Sequence, residues 1–416
     1  MSIFHNAYES LKDTCFIWRE EMKQMVKDEG VLIFFIIVPI LYPLLYSWIY
    51  NNETVREVPV VVVDQSHTAL SRQFIRLCDA SPDVYVISHA ADMEEARLLV
   101  SKQEAKGIYL IPSDFESCAY RMEQAHVGVY CDMSLMLAYK AIFQTAQAVA
   151  QEMWGELQTK MSSHYTHREE EISVRPLDYE AVPIFNPTGG YGSFILPGVL
   201  ILIIQQTLVL GIGLSAGTAR ERNRYKNLIP VSRHYHGMFR IVSGKGLAYF
   251  MIYAVMTAWL VFGVPALFGF TAIGRWQDLF LLLLPYVLAC IFFGMVVSCL
   301  VRYRENVMLL VVFLSVPLLF MSGVSWPQTS IPPFWQGVSW LFPSTFGIQG
   351  FVRINEMGAT LSDVLLEYQI LWLQALIYFI LACLVYRYQI HVARSDSRRR
   401  LAEMKDRIMK LKDTSI

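Results

Sequence analysis

Apolar positions along the chain fall into two regimes. Six long runs, Val31–Tyr50, Phe194–Ala216, Leu247–Phe268, Leu279–Leu300, Val307–Met321 and Ile370–Tyr388, are nearly unbroken, whereas residues 58–160 alternate short β-branched runs with amphipathic stretches of helical length. About 20 mostly apolar residues are needed to cross roughly 30 Å of hydrocarbon, so the long runs predict six transmembrane helices. The fifth is the shortest. After it come Gly323-Val324-Ser325-Trp326-Pro327 and then Ile331–Phe351, rich in Trp, Phe and Pro. Such a stretch is too broken to span, and residues 327–351 are expected to be re-entrant or interfacial.

Ahead of the first span, Phe4, Tyr8, Leu11, Cys15, Trp18, Met22 and Met25 recur at steps of four and three, opposite Lys12, Asp13, Arg19, Glu20 and Lys23. This pattern predicts an amphipathic helix over residues 1–30 lying in the inner-leaflet interface. The first run itself is too long for a signal-peptide core and ends without a small-residue cleavage site, so it reads as a retained span, 31–50.

Between Asn51 and Tyr191 the period changes. Val58–Val63, Val84–Ile87, Gly107–Ile111 and Val127–Cys131 read as strands, and His67–Asp79, Asp92–Ser101 and Ser134–Lys160 as helices. Strands and helices alternating at these lengths predict an inserted α/β domain. Asp64-Gln65-Ser66 follows the first strand, where Asp and Ser ordinarily make a turn and an N-cap. His164 and His167, beside Glu169, Glu170 and Glu171, have a spacing that suits a metal, but a carboxylate run of this kind is more often a solvated helix end. The fold class expected is therefore an α-helical polytopic membrane protein with six transmembrane helices and an inserted extracytoplasmic α/β domain.

Charge sets the orientation. Lys and Arg crowd the segment between the second and third spans, the turn after the fourth (Arg302, Arg304) and the tail 391–416. The positive-inside rule places all three in the cytoplasm. Both termini are then cytoplasmic, and 51–191 is outside. The tail carries Leu401, Met404, Ile408 and Leu411 as a stripe flanked by basic residues, as expected for a helix on an anionic leaflet or a protein partner.

Composition supports the same class. Hydrophobic residues make up 54% and charged residues 17%, below the roughly 25% charge of soluble domains. Mean hydropathy is +0.37. A net charge of −1 excludes the basic excess of a nucleic-acid binder. The 7 cysteines form neither a metal-ligand pattern nor a disulfide framework.

Chemistry is sparse. No ionisable residue lies in the middle of any span, which disfavours an ion-driven carrier and gives a membrane-embedded enzyme no catalytic group. Gln205, Gln206 and Gln374 are the most polar side chains there. No phosphate-binding loop occurs, since Gly244-Lys245-Gly246 lacks the upstream glycine spacing and the Ser/Thr. Neither catalytic, cofactor-binding nor metal-binding residues are assigned, and any energy source must come from another polypeptide. The basic segment Ala219–Gly246, joined directly to two spans, is the natural handle for it.

Several short motifs in a fixed order carry a family resemblance: Trp18-Arg19-Glu20, Val58–Asp64 with Gln65, Lys106-Gly107, Ile111-Pro112-Ser113-Asp114-Phe115 and Phe185-Asn186-Pro187 with Tyr191. They continue with Ile195-Leu196-Pro197-Gly198, Ala219-Arg220-Glu221-Arg222, Gly244-Lys245, Ser322-Gly323 with Trp326-Pro327, Pro343 and Arg353-Ile354. Across almost its whole length the chain resembles the permease subunits of type-2 ABC transporters, in the drug and multidrug exporter branch with a large external domain. The resemblance implies a permease that pairs with a second permease copy or a paralogue and binds a separate ABC ATPase, which holds the ATP and Mg. It implies outward movement of an amphipathic or hydrophobic molecule. A large external domain in this family often meets a periplasmic adaptor leading to an outer-membrane channel. Arg220, Glu221, Arg222 and Lys245 fall in the ATPase-coupling region, although Asn223–Pro230 departs from the family pattern there. Gln205 and Gln206 of the second span, with Phe313, Ser315 and Phe320 of the fifth, are the candidate transport route. A membrane-anchored sensor that binds a ligand through its external domain is the competing expectation, disfavoured by six spans with only short cytoplasmic pieces.

Overall fold

The computed structural model describes residues 3–121, 123–161, 184–186, 189–222, 228, 237–301 and 303–413, without the side chains of 3–7, 161, 222, 394 and 396–413. In chain order the elements are α1 (Ile3–Lys27), α2 (Glu29–Ile49), β1 (Val58–Asp64), α3 (Ala69–Asp79), β2 (Val84–His89), α4 (Met93–Ser101), β3 (Gly107–Ile111), α5 (Phe115–Tyr120), β4 (Gly128–Cys131) and α6 (Met136–Met161). Then follow α7 (Tyr191–Arg222), α8 (Met238–Phe268), α9 (Trp276–Leu300), α10 (Arg304–Met321), α11 (Pro333–Ser339), α12 (Pro343–Asn355) and α13 (Leu365–Asp413). Two compact units result, Met1–Asn51 with Ile184–Ile416, and Asn52–Pro183.

In the first unit α2, α7, α8, α9, α10 and the first part of α13 are the 6 described helices long and apolar enough to cross a membrane. They correspond to the six apolar runs. The apolar stretch of α7 is 83% buried, against 22% for α10, so α7 is the centre of the bundle and packs on α2, α9, α10 and α12. Close approach needs missing side chains. A Cβ on Gly211 of α7 would sit 2.1 Å from the ring of Phe35, and that ring lies edge-on to Tyr249 and Tyr253 at 5.8 and 5.4 Å, a favoured aromatic geometry.

Two spans carry a widened π turn, Ile33–Ile37 in α2 and Trp259–Gly263 in α8. Pro39 and Pro265 follow them. A proline ring crowds the carbonyl four residues back, here Phe35 and Val261, and the extra residue in the turn relieves the crowding. The stretch 327–351 is not one helix: a 3-10 turn, Gln328–Ser330, leads to α11 and then into α12. Proline begins both α11 and α12, where a missing N–H costs nothing. α12 is packed among α7, α9 and α13, while Trp326, Phe334, Trp335 and Trp340 stay exposed.

The second unit is a sheet of order β2-β1-β3-β4, parallel except for β4, which runs antiparallel to β3. Its strands and helices are those of the α/β reading, plus the short α5. Because side chains alternate across a strand, Val58, Val60 and Val62 enter one core with Phe74, Tyr109 and Ile142, while Val61 and Val63 enter a second with Ala96 and Ile108. Burial on both faces explains the continuous Val run. Tyr109 donates to the Ile142 carbonyl at 2.8 Å and ties α6 to the sheet. Asp64 accepts from the amides of Ser66 and His67, each at 3.0 Å, and from the Ser71 hydroxyl at 2.8 Å. It therefore builds the turn into α3, which Thr68 and Ser71 start as a capping box. Burial pushes the Cys78 thiol up to about 12 and Cys131 up to about 11, which keeps both protonated and unreactive. His164, His167 and Glu169–Glu171 lie outside the described residues.

Candidate functional site: a charged clasp among the span ends

Most of the buried charge of the first unit gathers at one end. Glu21 of α1 accepts from Lys245 Nζ of α8 at 2.7 Å, from the Tyr249 hydroxyl, and from the Ser215 hydroxyl of α7 at 3.2 Å. Only 3% of its side chain and 7% of that of Lys245 are exposed. Such a pair survives burial because each charge keeps hydrogen-bonding partners, and removing one member would leave the other uncompensated. α1 can lie this close because Gly244 has no side chain: a Cβ there would meet the Thr14 carbonyl at 2.9 Å. Further along the same crossing Arg240 binds Asp13 at 2.6 Å.

Asp28 closes the second half of the clasp. It caps α2, accepting from the amides of Gly30 and Val31 at 3.1 and 3.4 Å, the ordinary work of an N-cap aspartate. The same carboxylate accepts from the Thr218 hydroxyl of α7 and from Arg304 of α10 at 3.3 Å. Arg304 also reaches Glu221 at 3.9 Å. Arg220, one residue earlier, is buried and donates to the carbonyls of Val301 and Cys299. A cation thus caps the carboxyl end of α9, where the helix dipole favours it. Through these bonds α1 and the ends of α2, α7, α8, α9 and α10 are held as one piece.

The structure redistributes the residues expected to couple the ATPase. Arg220 and Lys245 point into the bundle, and Glu221 has 60% of its side chain exposed; the side chain of Arg222 lies outside the described residues. The segment 219–246 is also shorter than the sequence suggests, a correction to its ends: α7 takes in 219–222 and α8 takes in 238–246. Of their polar side chains, Arg240 and Lys245 pair with α1 and Arg220 is buried against the end of α9. Most of the link 223–237 lies outside the described residues. Hydrophobic periodicity missed Glu21, since the stripe through Tyr8, Leu11 and Cys15 is exposed while Ile17, Glu21 and Met25, at steps of four, face the bundle. Asp28 was missed as well; Asp-Glu-Gly ahead of an apolar run is the signal that could have found it as an N-cap.

The route residues divide. Gln205 is buried and accepts the Ser344 amide at 2.7 Å, satisfying an orphan N–H at the start of α12. Gln206 Nε2 is buried with no partner among the described residues. Phe313 and Phe320 point out of the bundle, 81% and 52% exposed, and the Ser315 hydroxyl turns back onto the Val312 carbonyl at 2.7 Å. Gln205 therefore faces α9 and α12, away from Phe313. Gln374, the third polar side chain of the spans, donates to the Trp340 carbonyl at 2.8 Å.

These features define a multi-pass helical membrane protein whose span ends are locked to an amphipathic amino-terminal helix. Residues 30–384 match the family model of the ABC-2 family transporter proteins, and the chain belongs to that family. In it the chain is the membrane-spanning permease subunit, and ATPase activity resides in a separate ABC ATPase partner. The chain is similar to a linearmycin resistance permease protein, LnrN, of Bacillus subtilis, with 22% identity over 358 residues covering 78% of this chain and 87% of that one. It is also similar to the inner membrane transport permease YadH of Escherichia coli, with 25% identity over 162 residues, 39% of this chain and 61% of the relative.

Proposed function

We propose that the chain is the permease of a type-2 ABC exporter that moves an amphipathic or hydrophobic molecule outward, powered by ATP and Mg held on a separate ATPase. The clasp carries this reading. Charge pairs join α1 to α8, Ser215 ties it to α7, and Asp28 and Arg220 extend the connection to the ends of α2, α10 and α9, so a displacement imposed on one is transmitted to all. In this reading the clasp and both termini are cytoplasmic, and Asn52–Pro183 is extracytoplasmic, open to an adaptor and outer-membrane channel. Glu221, exposed beside the 223–237 link, meets the ATPase together with Arg222. Arg220 and Lys245 act behind them by fixing α9 and α1.

A second permease, identical or paralogous, covers the outward face of α10. Leu309, Val312, Phe313, Val316 and Phe320 form one exposed apolar row there, and an apolar wall with few polar groups suits an amphipathic cargo. The Bacillus relative is a resistance permease, which supports outward transport of a small molecule. Reconstitution with the cognate ATPase in vesicles tests the reading: accumulation of a lipophilic reporter dye should require both ATP and the ATPase. Movement that follows a proton or sodium gradient without ATP would overturn it.

A further inference from the structure

We propose that the α/β unit binds one elongated, uncharged amphipathic molecule in an open cavity lined by α3, α5, β4 and α6. The proposal rests on the export reading above, since a molecule of that kind is the cargo class inferred there. The cavity measures about 680 Å³, inside the roughly 300–1,000 Å³ range of small-molecule sites. Its floor is the core of the unit, because Phe74, Phe115, Met153 and Leu157 line it and are themselves buried. Small residues make the room: Ala146 and Ala150 are one helical turn apart on α6, and Ala119 of α5 is another lining residue.

Shape selects the occupant. α6 lines the cavity from Phe143 to Leu157, fourteen rises of 1.5 Å or about 21 Å. A site of about 680 Å³ drawn out over that length suits an elongated molecule better than a compact one. Chemistry narrows it further. Glu123 is the one ionisable group among the described lining residues, and it already pairs with Arg121 at 3.7 Å. Apart from this exposed pair at the rim, no described lining residue would neutralise a charge on the occupant, and an unpaired charge is costly to bury. Gln124 and Gln147 are left to bond a hydroxyl or amide.

The test uses the full chain in lipid nanodiscs and a neutral long-chain alcohol bearing a diazirine, irradiated and mapped by peptide mass spectrometry. Adducts should concentrate on 115–129 and 143–157, exceed those around the exposed Leu98 of α4, and fall when unlabelled alcohol is added. Ala150→Trp fills the cavity and should cut those adducts about tenfold, as the loss of one good set of contacts would. Phe143→Asp alters a half-exposed rim residue without touching the floor, and it should lower them too. Adducts spread evenly over the unit, or unchanged in both variants, overturn the proposal. So does loss of the adducts on raising the density of the chain alone, which would make the cavity an interface between copies. Adducts without ATP-driven export in the parallel vesicle assay remove the export reading and leave the cavity standing. Export without adducts removes the cavity alone.

Discussion

The second and fifth spans are alike in composition and opposite in situation. α7 and α10 have mean hydropathies of 2.2 and 1.7 and each contains one internal proline, Pro197 and Pro317. Yet α7 is enclosed and α10 displays most of its surface. The difference follows from what each offers a neighbour. α7 presents Gly211 to Phe35, Gly213 to Val307 and Gly217 to Arg304, and Ser215 and Thr218 to the carboxylates of Glu21 and Asp28. α10 presents a row of branched and aromatic side chains that none of the described residues covers. Lipid tails are as apolar as Leu, so hydropathy cannot bring helices together in a membrane; close packing and polar pairing do.

The contrast is most exposed to failure on its buried side. Glu21→Ala should have the largest effect, because it strands the Lys245 ammonium: a loss of about 3–5 kcal/mol, read from unfolding in mixed micelles. Replacing both members, Glu21→Leu with Lys245→Met, should recover most of that stability while ATP hydrolysis no longer drives export. Wild-type stability in the single variant would mean the pair is not buried in the membrane-bound protein.

A smaller effect is expected from Gly211→Val, which forces two methyl groups toward the Phe35 ring. Overpacking of this kind costs about 1–3 kcal/mol, and Phe35→Ala in the same chain should return part of it. If the double variant is no better than the sum of the singles, α2 does not approach α7 at this glycine.

The exposed side should barely respond in stability. Phe313→Ser removes a side chain that touches little of its own chain, so the folding change should stay within about 0.5 kcal/mol. Transport or assembly with the second permease should nevertheless fall. A variant that exports at the wild-type rate would show that this face of α10 looks only at lipid.

The clasp lies where local sequence pattern carries least information about burial. The centres of the spans carry no ionisable group; the buried charges sit near the span ends, Arg220 and Lys245 in the stretch that reads as a cytoplasmic link and Glu21 in the amphipathic helix ahead of the first span. Lys245 and Arg220 read as loop cations because a basic residue beside an apolar run ordinarily serves orientation. Glu21 was hidden because one helix has two different neighbours. Its apolar stripe is uncovered at Tyr8 and Leu11, while a flank containing a carboxylate enters the bundle. The inserted α/β unit was easier to read, since Val58–Val63 and the helices after it follow the strand and helix periods directly. Even there, α5 was too short to leave a periodic signal, and the cavity it helps to line is invisible in one dimension.

Local order was thus settled by the chain alone. Six apolar runs long enough to cross a bilayer, the strand–helix alternation between the first two, and Asp28 as a cap each depend on residues within a few turns of one another. The partners of Glu21, Gln205 and Asp28 lie 224, 139 and 276 residues away for Lys245, Ser344 and Arg304. Which polar residues become buried and paired, and which apolar face stays open, depends on helix crossings set by missing side chains at Gly211 and Gly244. Only the tertiary structure decides that, because hydropathy is a property of single residues and pairing is a property of geometry.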